Sequence, residues 1–77
     1  MWYLDAFDKK TKRLAKEYPL PFKANDPFLV RLLNRASNEL PAGSFALNAD
    51  QLRELATYVA EPLLPDLYLY EIGYFRD

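Results

Sequence analysis

Apolar and polar positions alternate at the start of the chain. Trp2, Leu4 and Ala6 fall on one side of an extended backbone, and Tyr3, Asp5 and Phe7 on the other. Only Asp5 interrupts this apolar run, which predicts a first strand with Trp2, Leu4 and Ala6 as its core face. The polar stretch Asp8-Lys9-Lys10-Thr11-Lys12-Arg13 separates it from a second β-capable run, Leu14 to Tyr18. Together they predict an antiparallel hairpin; with no Asn-Gly or Asp-Gly pair, its turn is longer than two residues. Pro19 and Pro21 are expected to end the second strand, because proline cannot donate to a ladder.

Helical spacing follows. Asn25-Asp26-Pro27 is a start signal: Asp26 can accept from free N–H groups, and Pro27 suits the first helical position. Phe28, Leu29, Leu32 and Leu33 share one face, Arg31 and Arg35 lie on the other, and the helix is expected to stop between Asn34 and Asn38. Leu40 to Gly43 reads as a loop and Ser44 to Leu47 as a brief extended run. Asn48 with Gln51 forms a capping-box pattern, and Asp50 and Glu54 suit the early turns of a helix. Leu52, Leu55, Ala56 and Val59 make its apolar stripe, closed by Glu61-Pro62.

A final aromatic run, Leu67 to Phe75, predicts a strand. The order β, β, α, β, α, β gives an α+β fold: a small four-stranded, mostly antiparallel sheet with one or two helices packed on one face, in a single domain over residues 1–77.

Composition narrows the chemistry. The chain has no cysteine and no histidine, which excludes disulfides, thiolate zinc sites, cysteine nucleophiles and the commonest general base. Its two glycines, Gly43 and Gly73, lie too far apart for a phosphate-binding loop. Ser37 and Ser44 have no histidine to activate them. Asp5 and Glu17 can face each other across the hairpin, but two solvated acids on a flat sheet are the simpler reading than a catalytic pair. A non-enzyme without cofactor or metal is expected. No segment reaches the ~20 apolar residues of a membrane span, and the first residues lack a secretory pattern, so a cytoplasmic location is expected.

The net charge of −1 hides an asymmetry: residues 1–38 carry eight basic and four acidic side chains, and residues 39–77 carry two basic and seven acidic. Such a split suggests an electrostatic partner or self-association of opposite ends. Lys9, Lys10, Lys12, Arg13 and Lys16 crowd the hairpin near Phe7 and Tyr18, so one reading is a small nucleic-acid-binding or regulatory domain using the 9–16 hairpin. The pI of about 5.3 weighs against it.

Aromatic residues make up 16% of the chain, more than one helix-covered sheet face needs. The second face must expose some of Tyr3, Phe7, Tyr18, Leu69, Tyr70 and Phe75, and exposed aromatics beside acids suit a protein-binding surface.

The segment Leu4-Asp-Ala-Phe-Asp-Lys9, then Thr11 and Glu17-Tyr18, resembles the opening of the cloacin and colicin ribonuclease immunity proteins. Ser44-Phe45 stands where that family has Cys-Phe, and Tyr70 to Phe75 followed by Arg76-Asp77 is similar to its aromatic last strand. The resemblance implies a monomeric antitoxin that binds the nuclease domain of a secreted toxin one to one. It would use the open sheet face and block substrate access without filling the catalytic centre. Carried over by position, Phe7, Leu14, Glu17, Ser44 and Tyr70 would lie at the interface, joined by Asp5 on the same face. Glu71 is the alternative to Tyr70, since a one-residue slip exchanges the faces of the last strand; a bulge at Gly73 would reconcile them. The chain departs from the family in its near-neutral charge and in Ser44, which leaves the toxin and its substrate open.

Overall fold

The computed structural model describes residues 1–35 and 43–75. The elements run β1 (Trp2–Asp8), β2 (Leu14–Leu20), α1 (Pro27–Leu33), β3 (Ser44–Ala46), α2 (Ala49–Leu55), a 3-10 turn (Ala56–Tyr58) and β4 (Tyr68–Tyr74). The four strands form one sheet in the order β2-β1-β4-β3, and each neighbouring pair is antiparallel. This is the α+β architecture expected from the sequence. Ser37, residues 40–42 of the loop predicted at Leu40 to Gly43 and the closing Arg76-Asp77 lie outside the described residues.

The apolar set of β1 forms the core. Trp2, Leu4 and Ala6 are fully buried against Leu20, Tyr70 and Ile72 of the flanking strands and Leu29, Leu32, Leu33, Leu52 and Leu55 of the helices. Polar bonds also tie β1 to the connection between β2 and α1, and α2 to α1. The Trp2 indole donates to the Lys23 carbonyl at 2.8 Å, and the Gln51 side-chain amide donates to the Leu32 carbonyl at 3.0 Å. The latter satisfies a carbonyl at the end of α1 that has no partner within the helix.

The helix starts follow their local chemistry. Asp26 accepts from the Phe28 N–H with Pro27 in the first turn, and α1 ends at Asn34 in the left-handed conformation. Asn48 and Gln51 form a reciprocal capping box at α2. The end of α2 differs from expectation: the α-helix stops at Leu55, Ala56 is exposed, and Val59 lies beyond the 3-10 turn. Tyr58 is drawn instead into a ring cluster with Phe22 and Phe28, at centroid distances of 4.8 and 5.6 Å.

Pro19 does not end β2, which continues through it to Leu20. As an edge strand, β2 has one side without a ladder, and a missing N–H is tolerated there. The register irregularity lies between Ala6 and Phe7 in the β1–β2 pairing rather than at Gly73, and the β1–β4 register is unbroken.

Candidate functional site

The sheet face turned away from the helices is ordered by register into three rows. Glu17, Asp5 and Glu71 stand side by side on β2, β1 and β4, with Ala46 of β3 next in line. On one side lies the row Pro19, Tyr3, Gly73 and Ser44. On the other lies the row Leu14, Phe7 and Leu69. An acidic stripe is thus bordered by one row that carries Tyr3 and by an apolar row of Leu14, Phe7 and Leu69.

The rims are exposed. Leu14 is 51% exposed, Leu69 46% and Phe75 46%, all large apolar side chains on a small domain. The Phe75 ring packs 6.0 Å from that of Tyr3, in space that opens because residue 73 is glycine: a Cβ there would stand 3.2 Å from the Phe75 ring and 3.1 Å from Ser44 Oγ.

Asp5 is the unusual member. It is a buried charged residue, 7% exposed, and its Oδ1 atom has no hydrogen-bond partner. Burial pushes its pKa up from 3.8 to about 6, and the Glu17 charge, a hydrogen bond with the Glu17 carboxylate and the Glu71 charge act in the same direction. A hydrogen bond between two carboxyls needs a proton, so this one exists only while Asp5 is protonated. Among the described residues no lysine or arginine pairs with Asp5, Glu17 or Glu71; the ion pairs are Lys16–Glu61 at 3.7 Å and Arg53–Asp50 at 3.2 Å.

Of the residues named from the sequence, Asp5, Phe7, Leu14, Glu17, Ser44 and Glu71 come together on this face. Tyr70 does not. It pairs with Ala6 on the core face, is 4% exposed, and its hydroxyl accepts the Leu64 N–H at 2.9 Å. Its role is to fasten the loop that follows α2. Tyr18 is likewise on the core side, where its hydroxyl donates to Glu61 at 2.7 Å. Tyr3, Leu69 and Phe75, expected among the exposed residues of the second face but not among the interface positions, border the row; their spacing of two from Asp5, Glu71 and Gly73 is the signal that places them there.

The basic hairpin is a separate feature. Asp8 Oδ1 accepts the N–H groups of Lys10 and Thr11 at 2.8 and 3.0 Å, and these backbone donors hold its carboxyl below the usual range. Lys12 takes a positive φ of 63° to close the turn. Lys16 points to the helix side, beside Glu61 and 6.0 Å from the Tyr68 ring. Phe7 and Tyr18, the aromatics next to the basic hairpin, lie on opposite faces of the sheet.

These features define a class: a small α+β sheet domain with helices on one face and an acidic, apolar-rimmed surface on the other. The chain belongs to the family described as Domain of unknown function (DUF7683), which matches residues 1–73. No curated protein and no solved structure matches it. No helix among the described residues is long and apolar enough to cross a membrane.

Proposed function

We propose that this protein is an inhibitory binding module: an immunity protein that captures and neutralises a secreted nuclease toxin through the open face of its sheet. The observation that carries the reading is the Glu17–Asp5–Glu71 row between exposed apolar rims, on a face that no described element of the chain covers. Apolar anchors surrounding charge suit a specific protein interface, and nucleases present basic surfaces to their substrates. The toxin class comes from the resemblance of the Leu4–Lys9 and Ser44-Phe45 segments to ribonuclease immunity proteins. Such a module inhibits by occupying the approach to the toxin's active site, and needs no catalytic group of its own.

Co-expression with a nuclease toxin encoded beside this chain tests the proposal. The expected result is a one-to-one complex in which the nuclease is silent and the host survives. A chain that neither co-purifies with such a toxin nor protects cells from it overturns the reading.

A further inference from the structure

We propose that the Glu17–Asp5–Glu71 row is a receptor for a single guanidinium: an arginine of a basic protein partner lies across the sheet here, its N–H groups shared between Glu17 and Glu71, with Asp5 beneath as the buried counter-charge. The proposal rests on the reading of the open face as a protein-binding surface, and it names the group that face recognises.

Asp5 is the observation that distinguishes this site from a solvated patch of acids. A carboxyl group 7% exposed, with one oxygen shielded from solvent and lacking a hydrogen-bond partner, is costly to keep charged without a cation. Its charged neighbours on the flanking strands are Glu17 of β2 and Glu71 of β4, both acidic; β3 contributes the uncharged Ala46 to the row. Along β1 the same-face neighbours are Tyr3 and Phe7. Nothing among these supplies the missing positive charge.

The shape of the row selects the kind of cation. Neighbouring strands are about 4.8 Å apart, so the backbones that carry Glu17 and Glu71 are separated by roughly 10 Å. Among the described residues no group of three acids is close enough to hold a metal ion, and this row is no exception. A guanidinium is planar, carries five N–H donors in a fork, and can serve two carboxylates at once; an ammonium is a point charge that serves one well. The aromatic rim of Tyr3 and Phe75 on one side and Phe7 on the other complements the flat faces of a guanidinium. Once the cation is seated, Asp5 no longer needs its proton, so binding releases up to one at slightly acid pH, below about 6.

The test uses the full chain and three capped tripeptides of leucine flanking arginine, lysine or citrulline, at millimolar concentration. The carboxyl resonances of Asp5, Glu17 and Glu71 and the backbone amides are followed by NMR through a pH titration. The arginine peptide is expected to lower the Asp5 midpoint by about one pH unit or more and to shift amides of the three rows. Citrulline, which is isosteric and uncharged, should do neither, and lysine should do less. Glu17→Gln with Glu71→Gln, on a fold verified by its amide spectrum, should abolish the response. Equal responses to lysine and arginine overturn the guanidinium assignment. An unmoved Asp5 midpoint, or shifts confined to Asp50, Glu54 or Asp66, overturns the site. A response in a chain that captures no toxin removes the antitoxin reading and leaves the site; capture of a toxin without a response removes the site alone.

Discussion

Asp5 stands opposite Glu17 across the β1–β2 ladder, its Oδ1 atom buried and without a hydrogen-bond partner. The pair is the point at which folding and recognition pull in different directions. Burial favours a neutral Asp5, while the proposed arginine site requires charge. The raised pKa of about 6 records the first demand, and the two flanking glutamates the second.

The first expectation is an inverted pH dependence of stability at this residue. An unfolded Asp5 ionises near its ordinary 3.8, whereas the folded one keeps its proton until about 6. Between those values the native state binds more protons than the unfolded state, so stability falls as pH rises through the window. The displacement corresponds to at most about 3 kcal/mol, fully lost above about pH 6. Asp5→Asn should therefore stabilise the protein at about pH 7 by ~1–3 kcal/mol and change little at about pH 4. Urea unfolding of both proteins across this range measures it; parallel stability curves would sink the assignment.

Phe7 and Trp2 are five residues apart on β1 and on opposite faces, and substitutions should separate binding from folding. Phe7→Ala removes a half-buried ring from the open face: about 1 kcal/mol or less of stability, but at least about a tenfold loss of toxin affinity. Trp2→Ala or Leu4→Ala, at fully buried positions, should cost ~2–5 kcal/mol and affect binding only through unfolding. If Phe7→Ala unfolds the domain and leaves the residual affinity unchanged, the assignment of faces is reversed.

Tyr70→Phe checks the inward placement of that residue. Its hydroxyl accepts the part-buried Leu64 N–H, so the variant should lose about 1 kcal/mol while toxin affinity stays constant. A selective loss of affinity, with thermal stability intact, would return Tyr70 to the interface.

Much of this was legible locally. Asp26-Pro27 and the Asn48–Gln51 pair set helix starts through contacts within four residues, and the Trp2, Leu4, Ala6 alternation shows the core face without knowledge of any partner strand. The choice between Tyr70 and Glu71 was not legible, because it depends on how β4 registers against β1 almost the whole chain away. Pro19 within a strand was hidden for a similar reason: its tolerance follows from the edge position of β2, a property of the sheet order. Asp5 and Glu17 could be paired from the hairpin alone, but Glu71, which turns the pair into a row, could not.

The last expectation concerns the rate at which a basic partner arrives. Glu17 and Glu71 attract it, while Lys9, Lys10, Lys12 and Arg13 stand at the end of the same two strands and repel it. Asp5 and Asp8 are three residues apart on β1, roughly 10 Å, which is about one Debye length at moderate ionic strength. At low salt both groups are therefore felt during approach, with opposite signs. Glu17→Gln and Glu71→Gln should each slow association, and Lys9→Ser with Lys10→Ser should accelerate it; dissociation should change less in the hairpin variant. Raising salt should shrink all of these differences, because the exposed charges are screened. Stopped-flow association with the toxin domain at several ionic strengths measures each effect. A rate that does not respond to salt, or that falls when the hairpin lysines are removed, would mean that the partner approaches from the hairpin end and is not steered by the acidic row.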